Sequence, residues 1–322
     1  MPRVPADKLR RRVVRARLLG ALTSAARWSP TGALEGALAL CAPLARWTSF
    51  ERTTRANLAL ALGAELDERE LARIARGVRR HAARQFAAWI RLASSDTARA
   101  HWVDDLVAVD DSIRHLDDAL ARGRGAIVAT AHLGDWELLA ARIVRLGYRG
   151  AVVGLRRPND PGARWFEDLR ARHGVASIAQ SASPRELLAV LARGGVLGVL
   201  CDLDARRLDA ELLPFFGVVT RTLTAPAALA RASGAPIVPA RCIWTADGRY
   251  ALRCEPAFEF DRRAPRIDAR REVLARLNAI YERWIREAPE QWAWHQKRWP
   301  SGSRASAHAA PRRFPAAPAL DP

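Results

Sequence analysis

The stretch Ala126-Ile127-Val128-Ala129-Thr130-Ala131-His132-Leu133-Gly134-Asp135-Trp136-Glu137 runs from an apolar segment directly into a histidine and two carboxylates. An apolar run of this length, closed by glycine, reads as a buried strand. Residues five apart lie about 140° apart around a helix, so His132 and Glu137 cannot share one face of a regular helix. The histidine therefore belongs to a strand-to-helix turn. Asp135 is a good N-cap for a helix from Trp136 to about Leu146, which puts Glu137 in the first turn, able to reach back. A neutral imidazole so placed can take a proton from an alcohol, while a carboxylate fixes its tautomer and stabilises the imidazolium. Asp135 is a rival for that carboxylate role, but as a cap it already spends its oxygens on backbone N–H groups.

Outward from this turn the pattern alternates. Strand-like runs at 126–131, 151–155 and 196–201 are separated by helical segments at 136–146, 161–172 and 184–193, the order of βαβ units. The sharpest boundary is Ser183-Pro184-Arg185-Glu186, an N-cap, a proline at the first helical position and a capping-box glutamate, with Gly194-Gly195 stopping that helix. Residues 236–244 and 249–254 read as a strand pair, and 268–287 as a last helix. Upstream, 57–92 reads as helices, with Asp67-Glu68-Arg69-Glu70 as a helix start. The strands that precede His132 and Asp202 are expected to end on one side of the sheet, where an open α/β fold forms its crevice.

The chain has 322 residues, 49% of them hydrophobic, enough for one large α/β domain with accessory helices. Its net charge of +18 favours an anionic partner: nucleic acid, an acidic membrane surface or an acidic carrier protein. Cys41, Cys201, Cys242 and Cys254 show no Cys-x2-Cys spacing and read as small buried hydrophobes rather than zinc ligands or a disulfide framework. Residues 1–17 carry seven basic side chains against Asp7 alone, followed by apolar stretches at 18–26 and 36–45, with Trp28 and Trp47 near their ends. Arg27, Glu35, Arg46, Pro30 and Pro43 keep either stretch short of the ~20 apolar residues needed to span a bilayer. A segment lying on the membrane is thus favoured over a spanning helix or a cleaved signal peptide.

His132-x4-Glu137 in the context HLGDWELL resembles the active-site motif of the lysophospholipid-acyltransferase superfamily, specifically its lipid A late (lauroyl/myristoyl) acyltransferase family. Arg157-Pro158-Asn159-Asp160-Pro161 resembles the family's Tyr-Arg-Pro segment, with Arg156 in the tyrosine's place. Asp202-Leu203-Asp204 resembles its Asp-Gln/His-Asp turn, with Leu203 unable to supply a side-chain hydrogen bond. Leu213-Pro214-Phe215-Phe216-Gly217 is similar to its apolar loop, and Ala288-Pro289-Glu290-Gln291-Trp292-Ala293-Trp294 with Arg298-Trp299 to its C-terminal signature. The match begins near Arg55-Ala56-Asn57-Leu58-Ala59 and covers most of the chain.

The resemblance implies a glycerolipid-acyltransferase-like α/β domain over residues 51–300, with a mixed sheet flanked by helices, preceded by N-terminal membrane-associating helices in the basic and apolar segment 1–50; after Trp299 the composition turns to Ala, Pro, Ser and Arg, so 301–322 is expected to be disordered. It implies transfer of a fatty acyl group from acyl carrier protein to a hydroxyl of a lipid A precursor, at the cytoplasmic face of a bacterial inner membrane, without a cofactor, a metal or a covalent enzyme intermediate. His132 is then the general base and Glu137 its orienter. Arg157 is the candidate ligand for a phosphate on acceptor or donor, with Arg156 as competitor. Asp202 either orders that arginine or the catalytic turn, or is a simple turn cap. Phe215, Phe216, Val218 and Val219 are candidates for an acyl groove or for the core; Trp292, Trp294 and Trp299 for a membrane interface or for packing. Rival readings are acylation of another glycolipid, such as a phosphatidylinositol mannoside, and a basic nucleic-acid-binding protein. Dispersed arginines and the lack of a nucleic-acid motif argue against the last.

Overall fold

All five residues of Ala126–Thr130 are buried, because this strand is hydrogen-bonded on both edges and covered on both faces. The computed structural model describes residues 6–26, 33–154, 160–205 and 208–300. Helices α1 (Ala6–Ala26), α2 (Ala33–Cys41), α3 (Ser49–Leu62) and α4 (Glu68–Ser94) lead through α5 (His101–Leu106), β1 (Val107–Val109) and α6 (Arg114–Leu120) to β2 (Ala126–Thr130). Then follow α7 (Trp136–Arg145), β3 (Gly150–Gly154), α8 (Pro161–Arg172), β4 (Ala176–Ala179), α9 (Pro184–Ala192) and β5 (Val196–Leu200). The chain continues with β6 (Ala210–Phe215), β7 (Val218–Leu223), α10 (Ala225–Ser233), β8 (Ile237–Trp244), β9 (Tyr250–Cys254) and α11 (Arg266–Glu287).

Seven strands form one sheet in the order β1-β9-β8-β2-β5-β3-β4, in which only the β8–β9 pair is antiparallel. This is the mixed sheet flanked by helices that the sequence leads one to expect. The pleat of β2 divides the core: Ile127 and Ala129 join the apolar cluster with α3, α10 and α11, while Ala126 and Val128 face the cluster with α5, α6 and α7. The expected capping box is present at Ser183–Glu186, and the expected helix start at Asp67 carries a second one, Asp67–Glu70.

Two features differ from expectation. The stretch read as an apolar loop is a two-stranded hairpin, β6–β7, separate from the main sheet. Its turn places Phe216 at φ 50° and Gly217 at φ 70°, the left-handed pair of a type I′ turn, and a phenylalanine there hides the usual Asn-Gly signal. Cys41 is exposed, whereas Cys201, Cys242 and Cys254 are buried as free thiols. As expected, the N-terminal stretches are helices; they pack on α4, with α1 also reaching α8, and among the described residues no helix is long and apolar enough to cross a membrane. Trp28, Pro30 and the tail at 301–322 lie outside the described residues.

The turn after β2 is held from three directions. Gly134 has φ +64°, and a Cβ there would stand 1.9 Å from the Cys242 carbonyl oxygen, so only glycine fits. Asp135 N–H donates to that same oxygen at 2.7 Å. The Gly134 carbonyl accepts from Gln85 Nε2 at 2.5 Å and His81 Nε2 at 3.2 Å, both from α4. Burial pushes His81 down from 6.5 to about 4, and nearby Arg84 adds to this, against the opposing bond to Gly134. The ring is therefore neutral, with the Nε2 proton on the carbonyl.

Gly134→Ala is expected to destabilise the protein by about 3 kcal/mol or more, from a strained φ and a backbone clash together; thermal unfolding near the wild-type midpoint would show that the turn relaxes. His81 sets a pH window. The unfolded chain takes a proton at about 6.5 and the native ring only near 4, so stability is complete above 6.5 and falls as pH drops towards 4, by about 3 kcal/mol at ~1.4 kcal/mol per unit. His81→Gln keeps a donor to Gly134 and is expected to lose that slope in denaturant titrations. Asp135, which burial pushes up to about 7, contributes with the opposite sign to both proteins and cancels in the comparison.

Candidate active site

Parallel pairing of β2 with β5 sets Thr130 opposite Leu200. Two residues further on, each chain leaves the sheet at the same edge, at His132 and at Asp202. The two side chains meet there: His132 Nδ1 lies 2.7 Å from Asp202 Oδ1, and the His132 backbone N–H donates to Asp202 Oδ2 at 2.9 Å. A third donor arrives from the C-terminal segment, Trp292 Nε1 to Asp202 Oδ2 at 2.7 Å. The segment around Trp292 is docked by a bridge between Leu133 and Trp292 and by the bond from Ala293 N–H to the His132 carbonyl at 2.9 Å.

Asp202 is fully buried. Burial alone would raise its pKa, but the His132 ring, the indole N–H and the His132 backbone N–H outweigh it and hold the carboxyl below its ordinary value. An ionised Asp202 accepting from Nδ1 fixes the tautomer that leaves Nε2 as the basic edge of the imidazole. The His132 side chain keeps 22% of its surface open, and the Trp136 ring stands edge-on to it at 4.8 Å between centroids. His295 is stacked on Phe50 at 4.5 Å, and burial pushes it down to about 4, helped by the charge of nearby His132.

The carboxylate expected to orient His132 is elsewhere. Glu137 is buried and clamped by Arg170 of α8, with Nε to Oε2 at 2.8 Å and Nη2 to Oε1 at 2.6 Å. Burial would lower the Arg170 pKa, but Glu137 offsets this and raises it overall. Glu137 thus joins α7 to α8, and Asp202 takes the place on Nδ1. Asp135 is the N-cap, its Oδ1 accepting from Glu137 N–H, Leu138 N–H and Trp89 Nε1. Arg157 and Arg156 lie outside the described residues.

An apolar crevice runs between α7 and the sheet, lined by Val128, Leu139, Val152, Val199 and Gly198, with Glu137, Arg170 and Trp136, whose ring meets His132, among its walls. The aromatic residues considered for such a groove are packed otherwise. Phe215, Phe216, Trp292, Trp294 and Trp299 are buried in one cluster that carries the C-terminal segment, and Val219 points outward. The three tryptophans are therefore core residues. Trp292 is the site residue that sequence reasoning missed, and its only sequence signal is membership in the Trp-rich segment quoted above. Among the described residues no cluster of histidine, cysteine and carboxylate side chains has the arrangement of a metal site.

Three relatives put this geometry in context. The chain is 28% identical over 221 residues to a phosphatidylinositol mannoside acyltransferase of Mycolicibacterium smegmatis, 67% of this chain and 69% of the relative. It is 27% identical over 206 residues to the lipid A biosynthesis lauroyltransferase of Escherichia coli, 63% of each chain. It is 28% identical over 204 residues to the lipid A biosynthesis palmitoleoyltransferase of the same organism, 61% of this chain and 64% of the relative. Across residues 18–301 the sequence matches the family of bacterial lipid A biosynthesis acyltransferases, and with that span the chain belongs to it.

Proposed function

We propose that this protein transfers a fatty acyl group from the thioester of acyl carrier protein to a hydroxyl of a bacterial glycolipid, working at the cytoplasmic face of the inner membrane. The observation that carries this reading is the 2.7 Å contact of His132 Nδ1 with buried Asp202, at the open edge of two parallel strands beside an apolar crevice. His132 Nε2 takes the proton of the acceptor hydroxyl as its oxygen attacks the thioester carbonyl carbon. Asp202 stabilises the imidazolium that forms. When the tetrahedral intermediate collapses, the C–S bond breaks and the thiolate leaves with the proton that His132 returns. The acyl chain lies in the crevice between α7 and the sheet, where its burial is favourable.

Relatives named for lipid A and for phosphatidylinositol mannoside stand at 27% and 28% identity, so the acceptor class is a glycolipid hydroxyl, with a lipid A precursor and a phosphatidylinositol mannoside as its two candidates. Arg157 remains the proposed ligand for a phosphate on acceptor or donor. The net charge of +18 supports attraction to an acidic carrier protein and an anionic membrane. The deciding experiment is acyl transfer in vitro from acyl carrier protein to each glycolipid in detergent, read by mass spectrometry. Transfer to neither, together with tight and steeply salt-dependent duplex DNA binding, would favour the nucleic-acid reading instead.

Two substitutions separate the roles of the carboxylates. His132→Ala and Asp202→Asn are each expected to lower kcat by roughly 10²- to 10⁴-fold at nearly unchanged thermal midpoint, because the base or its tautomer is lost. Glu137→Gln leaves the Arg170 charge buried without its partner and is expected to cost about 3–5 kcal/mol in stability. A stable Glu137→Gln enzyme with kcat lowered as far as in His132→Ala, beside an active Asp202→Asn enzyme, would return the orienting role to Glu137.

A further inference from the structure

Arg298 has no exposed surface, and its contacts do not account for its charge. Nη1 donates to the Arg221 carbonyl, Nη2 to Thr222 Oγ1 at 3.2 Å, and the guanidinium lies 4.5 Å from the centre of the Phe215 ring. Nε is buried without a hydrogen-bond partner. None of these partners is an anion. A neutral amide could hold the carbonyl and the hydroxyl as well, whereas a cation taken out of water costs far more unless an anion answers it.

The backbone of Arg298 belongs to the segment 292–299, a strap between the β6–β7 hairpin and the catalytic turn. At the hairpin end Thr220 Oγ1 donates to the Arg298 carbonyl at 2.9 Å and Trp299 Nε1 to the Phe215 carbonyl at 3.3 Å. At the other end Trp292 holds Asp202, and Asn57 Nδ2 donates to the carbonyls of Trp294 and Gln296 at 2.8 and 2.9 Å. Between them the Asp204 N–H donates to the Lys297 carbonyl at 3.2 Å, which brings the Asp202-Leu203-Asp204 turn against the residue preceding Arg298. The guanidinium and the Asp202 carboxylate are thus two buried charges on adjoining backbone segments.

Among the described residues, the other ionisable groups around them are neutral, matched or exposed. Burial pushes the Cys201 thiol up to about 12 and the Tyr281 hydroxyl, 2.9 Å from it, well above its ordinary value. Burial likewise brings His295 on the strap and His81 on the Gly134 carbonyl each down to about 4. Asp204 faces Arg221 at 3.7 Å, Glu282 faces Arg286 at 3.3 Å, Glu137 is clamped by Arg170, and Glu51 of α3 is matched by Arg55 and Arg79. Lys297 is exposed. Burial lowers Arg298 to about 10, with Asp202, Asp204 and Glu282 pulling the other way, so it stays cationic at neutral pH. Asp202 accepts from His132, but a neutral imidazole has no charge to set against it. Among the described residues, Arg298 is then the cation left to Asp202.

We propose that Arg298 is a positioning residue for the base: its fixed charge answers Asp202 while His132 is neutral and opposes a second positive charge on the imidazole. The resting enzyme in this way holds its base unprotonated. Without the cation both members of the His132–Asp202 pair bind protons more readily, so the pair takes up its first proton at higher pH. The effect on catalysis rests on the reaction proposed above, while the effect on the titration of His132 does not.

The test follows the imidazole signals of the full chain by NMR with isotope-labelled histidine, the His132 signal being identified by its loss in His132→Ala. In Arg298→Gln and Arg298→Met the His132 titration is expected to move up by about one pH unit, the size a unit charge exerts across a protein interior at an effective dielectric near 20. The acid limb of kcat/KM moves with it: transfer falls about tenfold on that limb and approaches the wild-type rate above pH ~9, a recovery that a damaged fold would not allow. Thr222→Val removes a partner of Arg298, leaves the cation in place and is expected to titrate as the wild type does. Asp135, which burial pushes up to about 7, is common to all these proteins and cancels. An unmoved His132 titration in a folded Arg298→Gln or Arg298→Met protein overturns the proposal. So does an equal shift in Thr222→Val, which would trace it to the hairpin contact, or failure of both neutral variants to fold, which would leave the arginine a structural clasp. A wild type that transfers no acyl group at any pH would sink the reaction alone, with the titration still deciding the role of Arg298.

Discussion

A single buried carboxylate joins three distant parts of the chain. Asp202, at the end of β5, accepts from the His132 ring, from the His132 backbone and from the Trp292 indole. A carboxylate with no exposed surface is costly unless each lone pair is answered by a donor, and here the donors come from the β2 turn and the C-terminal segment. Satisfying Asp202 thus requires the turn to adopt one shape and the Trp-rich segment to dock in one register. The orientation of the imidazole follows from the same requirement.

The rest of the turn is specified by backbone space rather than charge. Gly134 lies against the Cys242 carbonyl, and α4 contributes Gln85 and His81 to its own carbonyl. Three layers of the fold, β8, α4 and the C-terminal segment, therefore converge on four residues. A second buried ion pair, Glu137–Arg170, fastens α7 to α8 next to the crevice. The acidic residue of the His-x4-Glu motif is in this way tied to the wall of the crevice, and the base is oriented from the neighbouring strand.

Much of this could be read in advance, and the limits have physical causes. The βαβ alternation, the Asp135 cap and the Ser183–Glu186 box depend on residues within a few positions of each other, and the elements they predict are present within a residue or two. The two strands before His132 and Asp202 were expected to end together, yet the His132–Asp202 contact follows only from the β2–β5 register, a long-range property. Glu137 misled because its partner Arg170 stands on another helix, with nothing local to announce it. The hairpin was hidden by Pro214 inside a strand and Phe216 in a turn position that favours asparagine or glycine. Strands β1 and β4, of three and four residues, are too short to show any alternation.

The docking of Trp292 has a consequence for how the protein comes into being. During synthesis β2 and β5 emerge before the indole that completes the shell of Asp202, which follows that carboxylate by 90 residues. Until then the carboxylate lacks one donor and the hairpin lacks its strap, so the nascent protein holds a recognisable sheet without a finished centre. Contacts this far apart in sequence also form slowly, since a long loop must close before they are rewarded. The catalytic turn in this way depends on synthesis having passed Trp292: a chain cut short before it contains the residues of both strands and lacks the constellation.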